Sequence, residues 1–336
     1  MVSMKDIANA CDCSIATVSK ALNGHTDIGK ETADRIRRKA DELGYLPNAA
    51  ARALKTNRSY NLGVLLEDEA HSGLTHEYFS HVLQGFKQAA EDEGFDITLL
   101  RTNNRKMTYR EYCKYRNLDG VLVACVDFEA EEVKDLIEDV SIPTISIDYV
   151  FNGCSSVESN NVRGMQELTE YAIKQGHTKI AYIHGEGVKK VTKERIASFY
   201  SALEKHGIKI PDAYVQASSY LNSERAGLLT QKLLSLPNPP TCILYPDDYS
   251  AFGGVNAVRA MNLSVPEDVS VAGYDGTDLA MMLSPKLTTI AQDAEGMGSK
   301  AASELITSIE HPKSAYIKHI VIDGRLIKGG TIRRLV

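Results

Sequence analysis

Carboxylates, histidines and cysteines are the side chains of this chain best suited to chemistry, and their spacing tests for three kinds of site. Asp247 and Asp248 form an adjacent carboxylate pair, but chain neighbours rarely converge on one substrate atom as a general acid and base must. His71, His76 and His81 recur every five residues, which does not align them on one helix face for a metal. The six cysteines, at positions 11, 13, 113, 125, 154 and 242, show no paired metal spacing. We therefore expect no catalytic residue, no metal and no cofactor.

Charge is distributed unevenly along the 336 residues, which are enough for two or three hydrophobic cores. The formal net charge is -6. Residues 1–60 contain ten lysines and arginines against seven aspartates and glutamates, a net of +3, and the remainder carries -9. A basic head on an acidic body favours a DNA-binding module joined to a part that does not contact DNA.

Targeting and membrane signals are missing from the sequence. The N-terminus has no apolar run behind positive charges, as a signal peptide would, and no stretch approaches 18 uninterrupted apolar residues. We therefore expect a cytoplasmic protein that does not contact a membrane.

Three short helices are predicted within the first 46 residues. Ser3 and Asp6 have the spacing of a capping box at the start of the first helix. Ser14 is a good N-cap for a second helix, Ile15 to Leu22, and a third is expected over Lys30 to Leu43. Three helices with a tight turn between the first two form a helix-turn-helix unit, whose second helix enters a major groove.

The motifs in and after these helices resemble a known family. They are Lys5-Asp6-Ile7-Ala8, then Ser14-x-x-Thr17-Val18-Ser19-x-x-x-Asn23, then Leu43-Gly44-Tyr45-x-Pro47-Asn48-x-x-Ala51-x-x-Leu54. This ordered set resembles the LacI/GalR transcriptional regulators. Further matches follow, among them Asn160-Asn161-x-x-Gly164 and Thr288-Thr289-Ile290-x-Gln292. The resemblance implies a DNA-binding head over 1–46, a hinge helix and linker over 47–60, and an effector-binding and dimerisation domain over 61–336.

In that family the second helix reads DNA. Ile15 and Ala16 would offer apolar surface to thymine methyl groups, and Lys20 would donate to guanine or, equally well, only to phosphate. Hydroxyl and amide side chains would contact phosphates and fix the register. The expected DNA-binding residues of the head are Ser14, Ile15, Ala16, Thr17, Ser19, Lys20, Asn23 and Tyr45.

Asn48 to Leu54 matches the hinge helix of the family, although a segment this short is not stable as an isolated helix. Leu54 matches the leucine that wedges into the minor groove and kinks the DNA. Asn48, Arg52 and Leu54 complete the expected DNA-binding set; the alternative is a plain linker.

Beyond Asn61, short apolar strands alternate with amphipathic helices, which predicts an α/β fold with parallel sheets covered on both faces. The resemblance implies two doubly wound lobes of periplasmic-binding-protein type, with a ligand in the cleft at the carboxyl ends of the strands. The N-lobe would span about 61–160 and 292–322, and the C-lobe about 161–291 and 323–336. Expected strands are Leu62–Leu66, Ile97–Leu100, Gly120–Val126, Thr144–Ile147, Ile180–His184, Cys242–Tyr245, Val269–Gly273, Thr288–Ile290 and His319–Ile322; the first long helix is expected near Tyr78 to Glu93.

The expected effector site follows from the same resemblance. Asp275 and Arg195 match residues that hold ligand hydroxyls, with a structural pair across the lobes as the alternative. Tyr149 stands after Asp148 where the family usually has arginine, and Asp247 stands where asparagine is common. These changes favour hydroxyl-rich or cationic ligands and disfavour phosphorylated ones. The expected effector-binding residues are Tyr78, Phe79 (alternatively only a core residue), Asp148, Arg195, Tyr220, Asp247 and Asp275.

The sequence thus predicts a sequence-specific DNA-binding regulator, most simply a repressor of carbohydrate-use genes controlled by a sugar-like effector. Its expected partners are a pseudo-palindromic double-stranded operator, the small-molecule effector and a second copy of the chain. We expect a dimer rather than a tetramer, because no leucine heptads precede Val336. The alternatives are a nucleobase- or nucleoside-responsive regulator, a sugar-binding transport protein and a sugar-acting enzyme. Whether effector releases or promotes DNA binding stays open.

Overall fold

A computed structural model describes residues 2–25, 27–46, 53, 58–67, 73–100, 106–187 and 189–335. The chain divides into two compact units, Met1–Ser59 and Tyr60–Val336, which are described separately. No helix of the described ranges combines the length and the apolar character that crossing a bilayer requires.

The first unit contains α1 (Met4–Ala10), α2 (Ile15–Leu22) and α3 (Lys30–Glu42). The capping box of Ser3 and Asp6 is present, and the bounds predicted for α2 are confirmed. α3 ends one residue earlier than expected, at Glu42, with Leu43 as its C-cap. Ile7, Val18 and Ile36, one from each helix, are fully buried and form the centre of a small core.

The second unit begins with a parallel six-stranded sheet in the order β11-β5-β4-β3-β1-β2. Helices cover both of its faces, as the apolar central strands β1, β3 and β4 require. α4 and α12 pack so closely on one face that only glycine fits at position 298: a Cβ there would come within 1.9 Å of the Val82 carbonyl oxygen. This part, the N-lobe, contains β1 (Asn61–Leu66), α4 (Glu77–Asp92), β2 (Asp96–Leu99), α5 (Tyr109–Arg116), β3 (Gly120–Ala124), α6 (Glu131–Glu138), β4 (Thr144–Ile147), β5 (Ser155–Ser159), α12 (Ala294–Glu310) and β11 (His319–Ile322).

The C-lobe is built on a parallel four-stranded sheet in the order β7-β6-β8-β9, with β10 and β12 as an antiparallel pair beside it. Two hydrophobic cores lie on the two faces of its sheet. Its elements are α7 (Asn161–Lys174), β6 (Ile180–Gly185), α8 (Lys190–Lys205), β7 (Val215–Ser218), α9 (Ser223–Leu234), β8 (Cys242–Leu244), α10 (Asp248–Ala260), β9 (Ser270–Ala272), α11 (Asp278–Met282), β10 (Thr289–Ala291) and β12 (Arg325–Ile327).

The chain passes between the lobes at three places, after β5, after β10 and after β11. Two of these crossings are bonded to each other: Asn160 Nδ2 donates to Asp323 Oδ1 at 2.8 Å, and Asn160 N donates to the Ile322 carbonyl at 2.8 Å. Arg163 also pairs with Asp323. These two crossings therefore form a compact connection between the lobes, here called the interlobe hinge to distinguish it from the hinge helix of segment 47–60.

The observed strands differ from the predicted ones in instructive ways. The predictions for β4 and β11 are confirmed to the residue. The third strand was expected to reach Val126 but ends at Ala124, because Cys125 adopts a left-handed φ of 54°. Strands β5, β7 and β12 were missed, because they are short and carry polar residues such as Glu158, Gln216 and Arg325 in place of a continuous apolar run.

Candidate nucleic-acid interface and ligand cleft

Helix α2 presents an outward face of the kind that reads base edges. Val18 and Ala21 point into the head core, whereas Ile15, Ala16 and Lys20 are exposed. Ile15 is 50% exposed, a large apolar side chain at the first position of the helix. The face expected to enter a major groove therefore combines apolar contact surface with one ammonium group.

The other predicted DNA-binding residues of the head already make local bonds. Ser14 Oγ accepts from Thr17 N at 3.0 Å, so it caps α2 as predicted. Asn23 Nδ2 donates to the Ser19 carbonyl at 2.6 Å at the other end of the helix. Tyr45 packs partly buried on the head core. These contacts hold α2 in place and leave the hydroxyl groups of Ser14 and Thr17 near its surface.

We predict that Ser14→Ala loosens the reading helix. Loss of an N-cap hydroxyl costs about 1 kcal/mol, so hydrogen exchange of the α2 amides should accelerate roughly fivefold. Ser14→Gly is the matched control, because glycine at an N-cap costs only a few tenths of a kcal/mol. Equal exchange rates in the Ser14→Ala variant and the unchanged protein would contradict the capping role.

The predicted hinge contacts Asn48, Arg52 and Leu54 lie outside the described residues. Their assignment therefore stays a prediction from the sequence.

In the second unit, Asp148 lies directly after β4 on the N-lobe side of the cleft. Its Oδ2 accepts from the Tyr78 hydroxyl at 2.6 Å, and its Oδ1 accepts from Ser159 N at 3.0 Å. Burial raises the pKa of the Asp148 carboxyl, and these two hydrogen bonds oppose that rise. Tyr78 and Asp148 therefore form one hydrogen-bonded unit, anchored in α4 and β4.

Asp275 lies on the C-lobe side, shortly after β9. Gln292 Nε2, at a lobe crossing, donates to Asp275 Oδ1 at 2.7 Å. Burial raises the pKa of Asp275 well above its ordinary value, while the positive charge of Arg195 pulls it down. Arg195 therefore acts on Asp275 through its charge; among the contacts of the described residues, no direct ion pair joins the two side chains.

Arg195, from α8, is only 4% exposed. Its Nε donates to Asn161 Oδ1 at 2.8 Å, and its Nη1 donates to the Pro246 carbonyl at 2.9 Å. Its guanidinium carbon stacks 3.6 Å from the centre of the Tyr274 ring. These three contacts fix the orientation of the guanidinium and leave further N–H groups of Arg195 as donors.

Tyr220 is placed by a close approach to the end of β6. A Cβ on Gly185 would lie 2.1 Å from the Tyr220 ring, so only glycine fits beside it. The Tyr220 hydroxyl bonds with the Thr192 hydroxyl at 3.0 Å. Phe79, in contrast, packs against the N-lobe core, so of the aromatic pair on α4 it is Tyr78 that faces the cleft.

The adjacent carboxylates Asp247 and Asp248 are both buried and bonded within the C-lobe. Asp247 caps α10 by accepting from Ser250 N at 2.7 Å, and it also accepts from Leu221 N at 2.9 Å. Asp248 accepts from Thr277 N at 2.7 Å, and burial raises its pKa to about 7. Their oxygens therefore fix the loops around the cleft.

In the described part of the chain, four of the eight non-glycine residues with a positive φ follow the carboxyl ends of strands. Asp148 has φ 56° and Asp275 has φ 106°, and Cys125 and Leu221, after β3 and β7, have φ 54° and 56°. Such conformations cost about 1–3 kcal/mol for non-glycine residues and cluster at ligand sites. No sequence pattern signalled this feature.

A cavity of about 230 Å³ opens between the lobes beside these residues. This is roughly the volume of eight water molecules. Tyr78, Asp275 and Gln292 belong both to its wall and to the cluster above. It is lined by Glu77, Tyr78 and His81 of α4, by Asp275–Asp278, and by Gln292–Glu295. The wall is strongly acidic, which favours neutral or cationic ligands over anions.

Two contacts across the cleft were missed by the sequence analysis. Glu77, in the N-lobe, accepts from the Tyr249 hydroxyl at 3.1 Å and from Asp278 N at 2.7 Å, both in the C-lobe. Glu158 of β5 pairs with Lys190 at the start of α8. Partners in different lobes hold the cleft closed at these two points, and no local sequence signal links them.

Within the described ranges, no group of three or more histidine, cysteine, aspartate or glutamate side chains could hold a metal ion. The six cysteines are all free thiols, and Cys11, Cys113, Cys154 and Cys242 are buried.

Comparison with known proteins identifies both units. Residues 3–48 match the family of bacterial regulatory proteins of the lacI type, and residues 169–332 match a periplasmic binding protein-like domain. The chain is 30% identical to the transcriptional repressor PurR of Vibrio vulnificus, covering 95% of this chain and 96% of that one. It is 29% identical to the ribose operon repressor of Escherichia coli K12, covering 93% and 94%.

A lac repressor dimer, solved with operator and the anti-inducer ONPF, has the same fold, with a TM-score of 0.81 at 22% identity over 99% of both chains. The fold class predicted from the sequence, a helix-turn-helix head followed by doubly wound α/β lobes, is therefore confirmed. On the head, the body and the length of the match together, this chain belongs to the lacI family of bacterial regulatory proteins.

Proposed function

We propose that this protein is an operator-binding repressor of carbohydrate-use genes, controlled by a small, uncharged, hydroxyl-rich effector. The observation that carries the proposal is the cleft of the second unit. There Asp148 and Asp275, held in strained backbone conformations on opposite lobes, lie around the fixed guanidinium of Arg195. Two acceptors and one preorganised donor are the chemistry that binds several hydroxyl groups at once.

The charge of the cleft selects among effectors. Arg195 is opposed there by Asp148 and Asp275, and the adjoining cavity adds Glu77, Asp278 and other carboxylates. Tyr149, where the family usually has arginine, stacks on Phe128 at 4.2 Å and donates to Glu129. With no added cation at that position, a phosphate or carboxylate ligand would be repelled. One of the relatives is a ribose operon repressor, and ribose is a neutral sugar, which is consistent with an uncharged effector here.

We infer that effector affinity is coupled to DNA binding through lobe closure. The Glu77 contacts and the Glu158–Lys190 pair hold the two lobes together. The interlobe hinge at Asn160 and Asp323 links the movement of one lobe to that of the other. Coupling between two sites is reciprocal. If the effector prefers one lobe arrangement, it changes the affinity for operator by a certain factor, and operator changes the affinity for effector by the same factor.

The DNA side of the proposal assigns 1–46 as the reading head, 47–60 as hinge and 61–336 as effector-binding and dimerisation domain. Ile15 and Ala16 contact base edges, Lys20 contacts guanine or phosphate, the hydroxyl and amide side chains contact phosphates, and Leu54 enters the minor groove. Two copies bind a pseudo-palindromic operator in the cytoplasm, and the lac repressor of the same fold is likewise a dimer when bound to its operator. We propose that the cleft binds its ligand without turnover. The relatives are named as repressors, and the adjacent carboxylates Asp247 and Asp248 are engaged in hydrogen bonds within the C-lobe.

A thermal-shift screen of the full chain tests the effector class, with neutral sugars, polyols, nucleobases, nucleosides and sugar phosphates as probes. A ligand at a hundredfold excess over its Kd stabilises the folded state by about 2.7 kcal/mol, so a hit is a clear rise in Tm. We expect hits among neutral sugars. Hits confined to nucleobases or nucleosides would replace the sugar by the other effector class, and hits confined to sugar phosphates would refute the charge argument.

The hinge assignment gives a separate prediction. If Leu54 wedges into the minor groove, Leu54→Ala removes the contact that rewards a kinked operator but leaves phosphate contacts intact. We expect the affinity for operator to fall by at least tenfold, and the affinity for a mixed-sequence duplex to change little. Fluorescence anisotropy titrations with both duplexes measure this. An equal loss on both would show that Leu54 has no wedge role.

A further inference from the structure

Lys20, the only basic residue of α2, has a partner in the free protein. Its ammonium donates a hydrogen bond to the carboxylate of Asp27, which lies in the segment between α2 and α3. The Lys20 side chain is 50% exposed and the Asp27 side chain 57% exposed, so the pair lies at the surface of the head. The bond from Lys20 lowers the pKa of Asp27, which is therefore ionised at neutral pH.

An exposed ion pair of this kind is weak, between zero and about 1 kcal/mol, so it does not lock Lys20 away from DNA. It does change which DNA contact is favourable. If Lys20 moves to a phosphate, it exchanges one anion for another and leaves the Asp27 carboxylate unpaired beside the DNA backbone. While it is paired with Asp27, the ammonium forms a pair with no net charge, which gains little attraction from an anionic phosphate. A hydrogen bond to the uncharged O6 or N7 atom of guanine needs only one of its three N–H donors and leaves the pair intact.

We propose that Asp27 is a specificity-determining residue of the DNA head, which holds Lys20 away from phosphates and restricts its contribution to base edges. This rests on the proposed assignment of α2 as the reading helix. Asp27 acts through Lys20 and reduces sequence-independent binding, and it resolves the two alternatives for Lys20 in favour of base contact.

A double-mutant cycle on the full chain tests the pair, with the unchanged protein, Asp27→Asn, Lys20→Met and the double variant. The probes are a mixed-sequence duplex and the duplex enriched by the unchanged protein from a random-sequence pool. For each, Kd is measured by anisotropy over a series of KCl concentrations, and circular dichroism verifies that the exposed substitutions leave the head folded.

In Asp27→Asn we expect roughly three- to tenfold tighter binding to the mixed-sequence duplex. The slope of log K against log salt should steepen by about 0.9, because Lys20 then neutralises one more phosphate. Affinity for the enriched duplex should rise less, so the ratio of specific to non-specific affinity falls. In the Lys20→Met background the same change should leave the salt slope unaltered.

The matched control is Asp34→Asn, which removes the same charge from an i,i+3 pair with Arg37 on α3. If Asp34→Asn tightens binding as much as Asp27→Asn, or if the effect of Asp27→Asn is the same with Met at position 20, bulk charge explains the result and the inference is overturned. If the unchanged protein enriches no sequence, the proposed function itself fails, and this outcome is distinguishable because it precedes the cycle.

Discussion

Asp275→Asn should weaken binding of the cleft ligand by at least 100-fold while the protein stays folded. Hydrogen bonds to a charged group contribute about 1.5–3 kcal/mol each, so losing the carboxylate as acceptor for two ligand hydroxyls accounts for this loss. Tm should change little, because the variant loses the attraction of Arg195 but also avoids burying a carboxylate whose pKa is raised by that burial. Calorimetric titration with the ligand found in the thermal screen measures the effect.

Two variants complete this experiment. Asp212→Asn removes an exposed carboxylate of the same lobe and should leave Kd unchanged. Asp275→Gly relieves the φ of 106° and should equal or exceed the unchanged protein in Tm while losing the ligand, because glycine adopts this conformation without strain. An unchanged Kd in Asp275→Asn would show that the carboxylate only balances the charge of Arg195 and does not contact the ligand.

Lys190→Met should weaken binding of the same ligand roughly 5- to 150-fold, although the effect is indirect and acts through closure of the lobes. In the closed cleft the Glu158 residue is only 6% exposed, so its carboxylate is buried and unpaired once Lys190 is removed. Breaking a fully buried pair costs 3–5 kcal/mol; since Lys190 is 39% exposed, we expect about 1–3 kcal/mol against closure. A smaller fraction of molecules then occupies the closed arrangement. Because only this arrangement binds the ligand tightly, the apparent affinity falls in proportion to the closed fraction.

The double variant Glu158→Gln/Lys190→Met should recover most of the affinity, because no charge is left unpaired in the closed cleft. Lys193→Met, on the exposed side of the same helix, is the matched control. Small-angle scattering should show a larger radius of gyration for Lys190→Met than for the double variant or for Lys193→Met. If the single variant binds ligand and scatters like the unchanged protein, the Glu158–Lys190 pair does not hold the lobes closed.

Local signals in the sequence accounted for much of the head. Ser14 and the capping box of Ser3 and Asp6 act through neighbours three residues away, so the starts of α1 and α2 could be predicted from spacing alone, whereas α3 begins after Gly29 without a side-chain cap. The Lys20–Asp27 pair could not, because it depends on how the segment between two helices folds back.

In the lobes, alternation of apolar strands with helices predicted the α/β architecture, and the family resemblance proposed Asp148 and Asp275, each close after a strand. Strand β5 was missed because its buried Glu158 is stabilised by a residue from the other lobe, which no pattern within the strand reveals. The same limit applies to Asp247: its cap bond with Ser250 is local, but its burial and its bond with Leu221 depend on a loop 26 residues away. The partners of these side chains could not be predicted, because they come from segments that only the folded chain brings together.

The central claim is that occupation of the cleft changes the affinity for operator. The most direct measurement is the Kd of the full chain for its enriched duplex, with and without saturating ligand from the thermal screen. We predict a change of at least fivefold, equivalent to about 1 kcal/mol of coupling, that disappears in Asp275→Asn. The same operator Kd in the presence and absence of a ligand that demonstrably binds the cleft would contradict the account.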